Sequence, residues 1–336
     1  MKEALLYKKH TDASVTCHLC NHHCMIQPGK FGICHVRQNV DGFLFTHVYD
    51  RIVAEHIDPI EKKPLFHFLP GTRSYSVATV GCNFKCRFCQ NANIAQMPSD
   101  QGQIAGMPLP PEQVIKTAKK NQCQTISYTY TEPTIYFEFA LDTAKKAHEQ
   151  GIKNIFVSNG FMSTEAIQMI APWLDAANID LKSFNNGFYR KYCGGSLQPV
   201  LKNLVSLKQN NVFLEITTLV VTGLNDSPDE IKESAEFIVK ELGPDTPWHL
   251  SRFHPTYCLQ DRPSTPLETL QKARKIGMDT GLRYVFTGNV PGDRGESTFC
   301  HQCGKLLIDR YGFRIQQTLL DGNRCPDCQT PVNIVL

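Results

Sequence analysis

From about Tyr75 to Val290, short β-branched runs alternate with amphipathic segments. The runs read YSVATVG, TISYTYTEP, NIFVSNG, AANIDLK, FLEITTLVV and PWHLSRFHP. Between them lie segments such as PPEQVIKTAKKN, TIYFEFALDTAKKAHEQG and SPDEIKESAEFIVKELG, whose apolar positions fall on one helical face. Ser163, Ser227 and Thr265 offer helix-start signals, and Gly151 and Gly243 offer stops. Strands alternating with helices predict βαβ units and a parallel sheet. Six units in about 215 residues predict a partial (β/α)6 barrel, α/β in class and too short for eight strands. A doubly wound open sheet is the alternative.

The flanks break this rhythm. Residues 1–74 carry four cysteines and the segment DPIEKKPLFHFLPG, and residues 291–336 follow the turn cluster GNVPGDRGE. The expected organisation is therefore a small Cys-rich N-terminal module and extension, a core barrel over 75–290, and a small C-terminal metal-binding ribbon.

Composition narrows the class. The 336 residues hold 35 basic and 32 acidic side chains, a net charge of +3, with no long basic run. Nothing electrostatic argues for nucleic acid. The start, MKEALLYKKHTDASVT, lacks the apolar core of a signal peptide. The greasiest stretch, FLEITTLVVTGL, contains Glu215 and is too short to span a bilayer. These features lead us to expect a soluble, cytoplasmic protein with no membrane partner.

Of the 14 cysteines, eleven fall into three groups, which points to metal sites rather than disulfides in a chain without a secretion signal. At the C-terminus, CHQCG and CPDC supply Cys300, Cys303, Cys325 and Cys328, two knuckles joined by a predicted hairpin. That spacing suits tetrahedral structural zinc. The N-terminal group, CHLCNHHCMIQPGKFGIC, supplies Cys17, Cys20, Cys24 and Cys34, with four histidines close by. A second structural zinc is the favoured reading there, and an auxiliary iron–sulfur cluster the alternative. The central group, CNFKCRFCQN, supplies only Cys82, Cys86 and Cys89, directly after a strand. Three thiolates at a strand's C-terminal end suggest a 4Fe–4S cluster with one iron left open, unless Cys123 or a histidine closes it.

CxxxCxxC with Phe88 before the third cysteine resembles the radical S-adenosylmethionine (SAM) superfamily signature. The resemblance implies a cluster whose open iron binds SAM and cleaves it reductively, giving a 5′-deoxyadenosyl radical that abstracts hydrogen from a substrate. It also implies roles for later strand ends. Thr131 and Glu132 in TYTEP match a motif that holds the SAM amino group, and a carboxylate suits an ammonium. Ser158 and Asn159 in VSNG, and Asp180 and Lys182 in DLK, match strand ends of pyruvate formate-lyase activating enzymes. There Lys182 would pair with the SAM carboxylate and Asp180 would lie near the ribose. Arg252 and His254 in HLSRFHP, two apart on a strand end, would share a face toward SAM or substrate.

Over nearly the whole chain the order of motifs resembles the AmmeMemoRadiSam system radical SAM enzymes. That likeness implies AMMECR-type and Memo-type partner proteins, an electron donor such as flavodoxin or ferredoxin, and an unidentified substrate. A glycyl-radical activase is the nearest competing function, and a zinc-ribbon or iron–sulfur scaffold the competitor from another class.

Overall fold

A computed structural model describes residues 1–336. Its centre is one eight-stranded sheet: β1 (Ala54–Pro59), β2 (Arg73–Ala78), β3 (Thr125–Tyr128), β4 (Lys153–Ser158), β5 (Ala176–Asp180), β6 (Phe213–Val220), β7 (Trp248–Arg252) and β8 (Val285–Gly288). Each strand lies beside its neighbour in sequence, and β2 to β8 are all parallel. Six helices make the crossovers: α1 (Pro111–Lys120), α2 (Phe137–Glu149), α3 (Thr164–Ile170), α4 (Leu197–Gln209), α5 (Pro228–Phe237) and α6 (Leu267–Asp279). A doubly wound sheet reverses its strand order partway, and this one never does. The fold is the singly wound, barrel-like one.

Two strands extend it beyond the six expected units. The short run VFTG forms β8 after α6, and β1 pairs antiparallel with β2 from Ala54 opposite Ala78 to Pro59 opposite Arg73. The sheet thus reaches back across residue 75. Ser163 and Ser227 cap α3 and α5, accepting from the Ala166 and Glu230 amides at 3.1 and 3.3 Å. Thr265 is not a cap: its hydroxyl donates to the Val220 carbonyl and accepts from the Phe253 amide, and α6 begins two residues later.

The chain between β1 and β2 fills the interior of the sheet from the N-terminal half of its strands. Glu215, third in β6, accepts from the Phe66 amide (3.0 Å), the His67 amide (2.7 Å) and His249 (2.6 Å). Asn178 of β5 donates to the Pro64 carbonyl at 2.8 Å. Lys63, fully buried, pairs with Asp58 at 2.6 Å, and the Tyr130 hydroxyl donates to the same carboxylate.

The C-terminal ribbon docks at that same end. Its hairpin, β9 (Leu306–Tyr311) and β10 (Arg314–Thr318), packs with Phe66, Tyr284 and Phe286 in a small separate core. Val335 and His67 to Leu69 exchange backbone hydrogen bonds at 2.8 and 2.9 Å. The N-terminal module lies at the opposite end, against the chain leaving β4. Asn21 donates from its amide to the Phe161 carbonyl, and Ser163 donates to the Leu19 carbonyl. Arg37 and Glu138 form a buried ion pair beneath it. No helix is long and apolar enough to cross a membrane.

Candidate functional site

The loop after β2 carries Cys82, Cys86 and Cys89 at the C-terminal end of the strands, where barrel enzymes gather their chemistry. Its backbone is tied down by a distant segment. The Lys85 amide donates to the Cys193 carbonyl (2.8 Å) and the Arg87 amide to the Tyr192 carbonyl (2.9 Å). Phe84, buried between Cys82 and Cys86, packs on Phe161 and Tyr189. Gly195 lies so close to it that an added Cβ would sit 2.3 Å from the Phe84 ring. Gly81 needs its glycine twice over, for a φ of +102° and because a Cβ there would meet Val36 at 2.8 Å.

The three thiols are buried or half-buried. Burial pushes Cys82 well above the ordinary thiol range and Cys89 up to about 11. Burial thus disfavours the thiolate at Cys82 and Cys89 until coordination deprotonates them. Cys193, outside the three cysteine groups, lies beside Cys86 and holds that thiol below its ordinary range against burial. It sits in a π-helical turn, Tyr189–Cys193, a rare element that recurs at functional sites. Cys123 closes nothing: it precedes β3, at the far end of the sheet.

The expected strand-end residues converge on this loop, with amendments. Glu132 is buried and its carboxylate is largely occupied. Oε1 accepts from the Thr134 amide (3.1 Å), the Thr134 hydroxyl (2.5 Å) and the Ser158 hydroxyl (2.7 Å), and Oε2 from the Asn159 amide (2.8 Å). It braces the ends of β3 and β4, and only Oε2 has acceptor capacity to spare. Burial pushes its carboxyl above the ordinary range against the pull of those four donors. Thr131 donates to the Thr79 carbonyl at 2.8 Å, a bond between loops. Asn159 donates to Asn83 Oδ1 at 2.7 Å, with its Nδ2 3.9 Å from the Cys82 sulfur.

Lys182 and Asp180 pair with each other at 2.9 Å. Burial works against the Lys182 charge, but Asp180, Cys86 and Cys193 outweigh it and hold the ammonium well above its ordinary range. A fixed cation therefore faces the sulfurs. Phe88 packs on Phe188 in the core, 5.7 Å between ring centroids. Arg252 donates to the Thr265 carbonyl at 2.7 Å, and exposed His254 meets Ser264 at 3.1 Å. β7 ends at Arg252, so His254 lies in the loop beyond it, with buried Phe253 between the two. Beside them, residues 256–259 reach the cysteine loop, the Cys258 amide donating to the Arg87 carbonyl at 2.9 Å.

The three-cysteine loop fits a cluster held on one side by thiolates, with Lys182, Asp180 and Glu132 Oε2 available on the same face. The C-terminal group fits a single ion. The Cys300–Cys328 and Cys303–Cys325 sulfur pairs are 3.5 and 3.6 Å apart, and all four sulfurs lie within 4.8 Å of one another. No other set of three or more Cys, His, Asp or Glu ligand atoms in the chain is gathered so tightly.

The family model of the radical SAM superfamily matches residues 76–238. An uncharacterized protein of Methanocaldococcus jannaschii is 44% identical over 338 residues, covering 100% of both chains. The (2S)-3-sulfopropanediol dehydratase activating enzyme of Klebsiella oxytoca is 26% identical over 154 residues, 44% of this chain and 48% of that one. Among solved structures, Streptococcus suis SuiB bound to its precursor peptide SuiA matches with a TM-score of 0.50 at 16% identity, over 62% of this chain and 46% of that one, a likeness of fold alone. The cysteine loop, the singly wound parallel sheet and these relatives agree: the chain belongs to the radical SAM superfamily.

Proposed function

We propose that this protein cleaves SAM reductively at the Cys82–Cys86–Cys89 site and uses the product radical to take hydrogen from a substrate. The carrying observation is a loop of three buried or half-buried thiols, with the Lys182 cation and the Asp180 and Glu132 carboxylates acting on them and no fourth cysteine on the same loop. A 4Fe–4S cluster bound there supplies one-electron reduction of the SAM sulfonium. The chain's own residues do the holding. Lys182 offers its ammonium to the SAM carboxylate, and Asp180 lies beside it toward the ribose. Glu132 offers Oε2 to the SAM ammonium while its other oxygen braces the strand ends. Cys193, beside Cys86, favours the Cys86 thiolate. Structural zinc in the C-terminal ribbon, and delivery of substrate with AMMECR-type and Memo-type proteins, belong to the same proposal.

Likeness to an activating enzyme favours a second reading, in which the hydrogen comes from a glycine of a partner enzyme. Anaerobic protein loaded with iron and sulfide, given SAM and a strong reductant, is expected to release 5′-deoxyadenosine, and the Cys86→Ala variant none. Intact loaded protein that makes no 5′-deoxyadenosine defeats both readings. Deuterium passing from a small molecule into 5′-deoxyadenosine supports the first; a glycyl radical signal on a partner protein supports the second.

A further inference from the structure

Acidic residues avoid the segments that wrap the cysteine loop. The chain has 32 Asp and Glu among 336 residues, about one in ten, yet none falls in 13–40, 62–99 or 181–214. The three segments meet at the loop. An added Cβ on Gly81 would touch Val36 and the Cys34 carbonyl, and His22 bonds to the Asn83 carbonyl at 2.7 Å. On the other side, the Cys193 and Tyr192 carbonyls accept from the Lys85 and Arg87 amides. Asp100 and Asp180, at the ends of two of these segments, are already engaged, by Tyr257 and Lys182 at 2.9 Å each.

The cations left behind have no partners of opposite charge. Lys85 and Arg87 are exposed and Cys86 between them is buried, so the loop turns its charges outward and its thiol inward. Arg190 and Lys191, also exposed, belong to the π-helical turn that ties the loop down, and the Lys191 ammonium lies over the Tyr192 ring. None of the four forms an ion pair, and Arg87 spends one nitrogen on the neutral Cys258 carbonyl at 3.2 Å. Unpaired charges of one sign, gathered on one stretch of surface, attract a partner of the opposite sign over about a Debye length. Two of them flank Cys86 in the chain, so a molecule held there stands beside whatever the three cysteines hold.

We propose that Lys85, Arg87, Arg190 and Lys191 form the docking surface for a small acidic one-electron carrier protein, which passes its electron to the cluster across residues 85–87. The inference rests on the SAM-cleaving function proposed above, which needs one electron at this loop for each SAM. The reduced carrier loses one electron and the oxidised cluster gains it, with no bond formed or broken and no proton moved between them. The ribbon's cysteines cannot relay that electron, since they lie at the other end of the strands. Charge-steered contact of small area is the usual form of such redox encounters, and it lets the spent carrier leave. RNA would meet the same charges. The carrier is favoured because the cations gather at the loop that takes the electron, while the chain as a whole carries only +3.

The test uses flavodoxin, an acidic carrier, with the full-length protein loaded anaerobically with iron and sulfide. Oxidised flavodoxin is expected to bind at about 25 mM salt and at least about tenfold more weakly at about 300 mM. Lys85→Glu/Arg190→Glu/Lys191→Glu should bind it about tenfold more weakly at low salt. With reduced flavodoxin as donor the variant should release 5′-deoxyadenosine about tenfold more slowly, yet within about twofold of the native rate when dithionite is the donor. Equal binding by native chain and variant, or equal losses with the two donors, overturns the surface. So does single-stranded RNA that binds the native chain more tightly than flavodoxin and loses that affinity in the variant. Should the triple variant not fold, Lys191→Glu and the salt series decide, and binding unchanged in both overturns it. Binding is read with oxidised carrier and without SAM. A native chain that makes no 5′-deoxyadenosine with dithionite therefore defeats the function, while the binding result still judges the surface.

Discussion

His67 makes the fold's acid sensitivity calculable. It lies in the segment that fills the sheet, with Nδ1 at 3.0 Å from the Asn333 carbonyl and Nε2 at 3.2 Å from the Thr298 hydroxyl. The carbonyl can only accept, so Nδ1 carries the proton. Arg310 donates to that hydroxyl oxygen at 2.8 Å, which leaves the Thr298 proton to point at Nε2. A second proton on the ring therefore turns a good bond into two opposed donors, and places a cation near Arg310. Burial is the larger influence, and together with Arg310 and His249 it outweighs the pull of Glu215 and lowers the imidazole to about 4.

The sign follows from linkage. Below the ordinary histidine value of about 6.5 the unfolded chain takes a proton that the folded chain refuses, so stability falls as pH falls from 6.5 to 4. At roughly 1.4 kcal/mol for each tenfold difference in proton affinity, the loss between pH 7 and pH 5 is about 2 kcal/mol, and it approaches about 3 kcal/mol by pH 4. His67→Asn keeps a donor for the Asn333 carbonyl and cannot titrate. Urea unfolding of both proteins across pH 7 to 5 should show the native chain losing about 2 kcal/mol relative to the variant. Parallel pH profiles would refute the argument, since every other titrating group is common to the two.

Two further perturbations test the architecture. Gly195→Ala places a Cβ 2.3 Å from the Phe84 ring, which must swing and carry the Cys82–Cys86 backbone with it; the variant should fold but bind markedly less iron at these three cysteines, and native iron loading would show the contact to be compliant. Cys325→Ser should release the ribbon's metal and lower the thermal midpoint while leaving iron at Cys82, Cys86 and Cys89 unchanged, because the ribbon docks at the other end of the strands; concurrent loss of that iron would contradict the separation.

How much of this was legible depended on distance along the chain. The CxxxCxxC loop and both ribbon knuckles are local, so spacing revealed them, and six strands declared themselves by β-branched runs. β8 escaped because VFTG is only four residues long, and β1 because AEHIDP is charged and pairs as an antiparallel edge. Cys193 was invisible as a site residue: its partner Cys86 lies more than a hundred residues upstream, and nothing local marks the contact. His254 lies past the end of β7, where the Thr265 hydroxyl takes the Phe253 amide, an ending set by a residue a dozen positions away. Glu132 was found, but not the four donors that occupy it, which come from its own loop and from β4's end.

The filled interior also decides how anything reaches the cysteines. With Pro64 to His67 bonded to β5 and β6, the barrel has one mouth rather than two. One jamb of that doorway is the N-terminal module, touching the loop through His22 and Asn83; the other is the turn after β7, touching it through Cys258 and Arg87. Under the proposed function, selectivity for what enters is expected to lie in the first forty residues and in residues 253–265, outside the strands. A swap of either segment between relatives would change what the site admits before it changed what the site does.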